Sequence, residues 1–214
     1  DFPYVVLCEG YFDVVAMHKA GFKTAVAALG TAITSFHLDI MARFRKPVVI
    51  FLDGDDAGRK AAERIIKLDI PDNIDLRAAF IKEEGADPDT VLSEKGGIEK
   101  VKKLIETARP LFQELIDEQL KVYNNLDNLE EKIKTENAIR GIVKAIPRRK
   151  FRTYSLYIQK NSGNGIKIMY DRNRTVERIK NDAGKEEHTA KYNKMNEEEL
   201  KAKKMIVISC LYPS

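Results

Sequence analysis

Three pairs of carboxylates, spaced roughly forty residues apart, are the side chains of this sequence best suited to chemistry. Glu9 and Asp13 follow the apolar run VVLC, Asp53 and Asp55 follow VVIFL, and Asp87 and Asp89 stand a few residues beyond AAFI. If those runs are neighbouring parallel strands, their ends meet at one sheet edge and the carboxylates converge there. Like charges brought together cannot all stay ionised unless a cation joins them. An all-oxygen donor set suits a hard divalent metal, magnesium or manganese, in the service of phosphate chemistry. Asp53 and Asp55 are two apart, a spacing that in extended backbone points both side chains to one side.

Each acid also has a plainer explanation. Asp13, Asp56, Asp87 and Asp89 fall where helices should begin, and acidic residues there cap backbone N–H groups and favour the helix dipole. Glu9 and Asp53 have no such task, because a strand end needs no carboxylate. The glycines that follow them, Gly10 and Gly54, leave room beside the backbone for a phosphate or a metal. Arg59 and Lys60 come next after the second acidic turn. They are candidates for a phosphate contact, or simply part of a solvated helix face.

Other devices for the same chemistry are missing. There is no GxxxxGK[ST] and no GxGxxG after a strand. The run DGDDAG resembles the start of an EF-hand loop, but its fifth position is Ala57 and its twelfth is Arg64. His18, His37 and His188 show no metal spacing, and Cys8 and Cys210 form no CxxC pair. Cys8, inside an apolar run, reads as a small core residue.

The elements that must position the acids follow from the pattern of apolar residues. Strands are expected at Tyr4–Cys8, Thr24–Ala28, Val48–Leu52 and Leu76–Ile81. Helices are expected at Tyr11–Ala20, from Thr34 or Ser35 to about Phe44, at Ala57–Leu68, at Asp87–Leu92 and at Ile98–Ala108. Strands alternating with helices predict an α/β fold, a parallel sheet covered on both faces. Past Pro110 no strand is expected for about fifty residues. Helices at Leu111–Val122, Leu129–Ala145 and Phe151–Ile158 read as a small all-helical subdomain. Residues 166–195 are polar and poorly patterned, and a last helix is expected within 196–214.

Charge divides along the same line. Residues 1–110 hold 16 Lys/Arg against 18 Asp/Glu, and residues 111–214 hold 21 against 15. In the tract PRRKFRTYSLY, basic residues alternate with Phe151, Tyr154 and Tyr157, as in surfaces that stack bases. Helical spacing favours a different account, in which Phe151, Tyr154 and Ile158 form one buried stripe and the arginines lie in water. No secretory signal and no run of membrane-spanning length is present, which points to a cytoplasmic protein without membrane contact. The chain opens almost directly into a strand without an initiator Met and looks like an excised fragment.

These residues resemble the Toprim family, which is marked by a Glu after its first strand and a later DxD. Here these are Glu9 in CEGYFD and Asp53 with Asp55 in LDGDDAG. The tracts EGYFDVVAMHKAG, VAALGTAIT, DGDDAGRKAA and GADPDTVL, in this order, are similar to the catalytic core of bacterial DNA primases. The resemblance implies a Toprim-type parallel sheet at 1–109 and the helical subdomain at 110–165. It also implies a linker or irregular segment at 166–195 and the start of a helicase-binding domain at 196–214. It implies nucleotidyl transfer from ribonucleoside triphosphates on a single-stranded DNA template. Glu9, Asp53, Asp55, Asp87 and Asp89 would hold magnesium or manganese, with Asp13 behind them, and Glu9 is alternatively a general acid or base. Zinc is expected only in an N-terminal domain that this chain lacks. Contact with the replicative helicase is expected through a C-terminal domain that is mostly absent.

Overall fold

The computed structural model describes residues 3–28, 32–52, 56–81 and 87–168 of the 214. The chain divides into two units, 1–168 and 169–214, and every described residue lies in the first.

Five strands form one sheet: β1 (Val5–Cys8), β2 (Ala25–Ala27), β3 (Val48–Leu52), β4 (Leu76–Phe80) and β5 (Arg109–Pro110), in the order β2-β1-β3-β4-β5. The first four are parallel. Val6 pairs with Ala25, Leu7 with Ile50, and Ile50 with Ala78. Every residue of β1 and β3 is buried, as a sheet covered on both faces requires. Val5, Leu7, Val48, Ile50, Leu76 and Ala78 face one layer, where α2 (Ser35–Ala42) and α3 (Asp56–Ile66) supply Leu38, Met41, Ala62 and Ile65. The alternate residues Val6, Cys8, Val49, Phe51 and Ala79 are equally buried. Helices α1 (Tyr11–Lys19), α4 (Pro88–Ser93) and α5 (Gly97–Glu106) pack on one another and on the strands.

The strand absent from the sequence-based expectation is β5. It contributes two residues, antiparallel to β4, with Arg77 opposite Pro110. Two residues carry no periodicity, and Pro is tolerated there because the strand is at the sheet edge. The sheet is therefore mostly parallel rather than wholly so.

Three further helices follow, α6 (Leu111–Asn124), α7 (Leu129–Ala145) and α8 (Arg148–Asn161). They do not enclose a separate core. Leu111, Ile116, Ile139, Ile146 and Ile158 join the same apolar cluster as the α2 and α3 layer. Burying each such side chain contributes about 1.5–3 kcal/mol. Helix α8 begins three residues earlier than expected, because Pro147 starts it rather than merely ending α7: the fixed φ of proline, here −52°, suits a helix start. Phe151 and Ile158 are buried and Tyr154 stacks edge-on against Phe112 at 6.1 Å, so the aromatics of this tract serve the core. Most of residues 166–195 and all of 196–214 lie outside the described residues. Among the described residues, no helix is long and apolar enough to cross a membrane.

Candidate metal centre at the carboxyl edge of the sheet

From β1 the chain passes to β2 on one side, then returns across β1 to β3 on the other. The crevice between β1 and β3 is thus a topological switch point, where open α/β sheets bind ligands beyond the carboxyl ends of their strands. Glu9 directly follows β1 and the DGD tract directly follows β3. Asp53 and Asp55 themselves lie outside the described residues. A cleft of about 350 Å³ opens here, lined by Cys8 and Glu9 after β1, Ile33 before α2, Leu52 of β3, and Arg64 and Ile65 of α3.

Asp13, on the first turn of α1, accepts a hydrogen bond from the Gly10 N–H through Oδ2 at 2.9 Å. A Cβ on Gly10 would stand 3.0 Å from that oxygen. The room that the glycine leaves is therefore taken by the Asp13 carboxylate, a correction to the expectation that it awaits a phosphate or metal. Burial pushes the Asp13 carboxyl above its ordinary value. The Gly10 bond opposes this, and the negative charges of Asp87, Glu9 and Asp89 add to it. The first and third acidic clusters thus share one electrostatic neighbourhood, brought together by the packing of α4 against α1.

Asp87 is the N-cap of α4. Its Oδ1 accepts from the Thr90 N–H at 2.7 Å, and the Thr90 hydrogen bonds hold its carboxyl below the ordinary range. Asp13 and Asp87 therefore do the structural work that helix starts ask of acids. Glu9 is exposed, and neither it nor the Asp89 carboxylate makes a hydrogen bond or ion pair among the described residues. No three His, Cys, Asp or Glu side chains among the described residues stand close enough to hold a metal ion. The acids gathered here offer only oxygen, and burial, with the charges of Asp87, Glu9 and Asp89 added, disfavours the Asp13 anion, a condition that a hard cation would relieve.

Arg59 is turned away from a phosphate role. Its Nη1 donates to Glu118 Oε1 of α6 at 2.8 Å, beside a second cleft of about 300 Å³ lined by Phe80, Glu114 and Asp117. Lys60 is exposed. Among the described residues, the cation that lines the switch-point cleft is Arg64, which sequence reasoning met only as a failed EF-hand position. Its place three residues after Ala61 and next to Ile65, both buried on α3, is the signal that would have found it. His18 bonds to the Ala25 carbonyl oxygen at 3.0 Å and His37 to the Thr34 N–H at 3.1 Å, so both are satisfied locally. Cys8 is buried, and burial raises its thiol pKa.

Residues 4–80 match the family model of the Toprim domain. The DNA primase of Rickettsia bellii is 38% identical over 138 residues, 61% of this chain and 23% of that protein. The DNA primase of Aquifex aeolicus is 37% identical over 129 residues, 60% of this chain and 24% of that protein. The chain thus spans about a quarter of the length of the curated relatives it matches. Among solved structures, the Escherichia coli primase catalytic core is 30% identical with a TM-score of 0.62, covering 80% of this chain and 54% of that one. A DnaG primase catalytic domain bound to ssDNA is 29% identical with a TM-score of 0.59, covering 77% and 52%. Residues 4–80 are accordingly similar to the Toprim domain, and the chain is similar to the catalytic core of bacterial DnaG-type DNA primases.

Proposed function

We propose that this chain is the metal-dependent catalytic core of a nucleotidyltransferase that makes short RNA primers on single-stranded DNA. One observation carries the reading: Glu9 and the DGD tract follow adjacent parallel strands on either side of the switch point. Glu9, Asp53 and Asp55 would hold magnesium or manganese there. Asp89, whose carboxylate has no partner among the described residues, is available as a further ligand, while Asp87 supports the site's charge from its place as helix cap. Asp13 closes the corner between β1 and α1 and so fixes the backbone beside Glu9. The metal, when bound, would favour attack by a ribose hydroxyl on the α-phosphate and neutralise charge on the departing pyrophosphate. Positioning and charge neutralisation are most of what phosphoryl transfer needs. Arg64, at the wall of the cleft, is placed to meet a phosphate.

The Toprim match is equally consistent with hydrolysis at the same centre. In this reading residues 1–109 are the Toprim domain, 110–165 a helical buttress to it, and 196–214 the start of a helicase-binding domain. The test is incubation with a single-stranded DNA template, ribonucleoside triphosphates and magnesium. Short RNA products that disappear in Asp53→Asn support primer synthesis. Cleavage of the DNA without RNA synthesis contradicts it in favour of a nuclease.

A further inference from the structure

The opposite edge of the sheet, at the amino ends of the strands, carries the reverse charge. The segment before β4 joins two basic elements there. Asn73 Nδ2 donates to the Ala42 carbonyl oxygen at the end of α2 at 3.3 Å, and Lys150 Nζ donates to the Ile74 carbonyl oxygen at 3.3 Å. Consecutive residues 73 and 74 therefore hold the turn containing Arg43 and Arg45 beside the first turn of α8, with Arg148, Arg149, Lys150 and Arg152. Val48 N–H donates to the Asp75 carbonyl oxygen at 2.8 Å, which fixes this place as the amino edge.

Arg43, Arg45, Arg149 and Arg152 are exposed, and none makes an ion pair among the described residues. The local acids do not outnumber them: Asp75 is bound to Arg77 through Nε and Nη2 at 3.1 and 2.9 Å, and Asp39, Asp69 and Asp72 stand against the six cations. Helix α8 contains no acidic residue.

Two placements here run against folding preference. Cations in the first turn of α8 oppose the helix dipole, whereas α7 opens with Glu130 and Glu131. Arg45 sits at φ 53°, left-handed backbone that favours glycine. Five of the six cations are arginines, although lysines outnumber arginines in the whole chain. Arginine is the side chain best shaped for phosphate, and a row of charges spread over two elements suits a polymer with repeated charge.

We propose that this edge, remote from the acidic one, docks the phosphate backbone of single-stranded nucleic acid. The inference rests on the primase reading and deepens it, by giving the template or the growing strand a second hold away from the metal centre.

The test is fluorescence anisotropy of a labelled single-stranded oligonucleotide with the whole chain, in EDTA, over a range of salt. Arg149→Glu with Arg152→Glu should weaken binding about tenfold, and the slope of log affinity against log salt should fall by about 1.4, for two lost phosphate contacts. Arg43→Glu with Arg45→Glu should do the same, and Arg149→Lys with Arg152→Lys should retain most of the affinity. The folded reference is Lys102→Glu with Lys103→Glu on α5, both exposed, which should bind like wild type. Unchanged affinity in both arginine variants, or an equal loss in the α5 variant, would overturn the proposal. So would displacement of the oligonucleotide by polyglutamate of equal charge, which would assign the edge to an acidic protein. Failure of the primase reading shows separately, as absent magnesium binding in wild type.

Discussion

Gly97 tests how the fold supplies the third acidic cluster. It opens α5 and is buried where α5 leaves α4 through a tight turn, with the Gly97 N–H donating to the Glu94 carbonyl oxygen at 3.0 Å. A Cβ at this position would stand 1.9 Å from the Val91 carbonyl oxygen and 2.9 Å from its carbonyl carbon. An ordinary carbon–oxygen contact is about 3.3 Å, so Gly97→Ala demands a displacement of about 1.4 Å. The obstacle is backbone, not the end of a flexible side chain, so α4 as a whole must give way. Overpacking of this kind costs about 3 kcal/mol, which in a domain of this size lowers Tm by about 6–12 °C. Because α4 carries Asp87 and Asp89 and packs on the helix that carries Asp13, magnesium affinity should fall with stability. Gly141→Ala is the control: it lies inside α7 with nothing within 4 Å of its added carbon, and should gain about 0.5–1 kcal/mol. Thermal melts followed by magnesium titration of the folded variants decide the matter. A Gly97→Ala protein that melts like wild type would refute the close approach of α4 and α5 and the reasoning built on it.

The acidic edge makes two predictions about pH and stability. The Asp13 carboxyl is raised, so its ionisation costs stability: its contribution is full below the ordinary value of 3.8 and lost as pH rises through the folded value. Asp13→Asn keeps an oxygen to accept the Gly10 N–H and should melt about 1–4 °C higher than wild type at pH 7 in EDTA, a difference that closes in acid. Saturating magnesium should narrow the gap. The Asp87 carboxyl is lowered, so its contribution is present above 3.8 and lost as pH falls further. Asp87→Ala should lose about 1 kcal/mol of stability at neutral pH, measured by denaturant melts, with the deficit shrinking in acid.

Much of this arrangement is legible from the residues because the relevant signals are local. The apolar runs at 48–52 and 76–80 give their strands almost to the residue, and turn chemistry at Gly10 and Asp87 gives the helix starts. What is lost is what depends on distant partners. A two-residue strand at Arg109 has no period to read, and α6 to α8 look like a separate subdomain because sequence does not say that Ile116, Ile139 and Ile158 share one core with Ile50. The site divides in the same way. That Glu9 and Asp89 are without partners among the described residues and that Asp13 and Asp87 cap helices is decided by which N–H each carboxylate reaches. The diversion of Arg59 to Glu118, fifty-nine residues away, and the appearance of Arg64 at the cleft depend on tertiary packing.

The central claim is that the acids at the carboxyl edge act together as one metal centre. Calorimetric titration of magnesium into wild type, Glu9→Gln and Asp53→Asn tests it most directly. The account predicts binding in wild type that is lost or at least tenfold weaker in both variants, because the two residues follow neighbouring strands and share one ion. Equal binding in all three proteins would contradict it, and would leave the carboxylates as helix caps and surface charge.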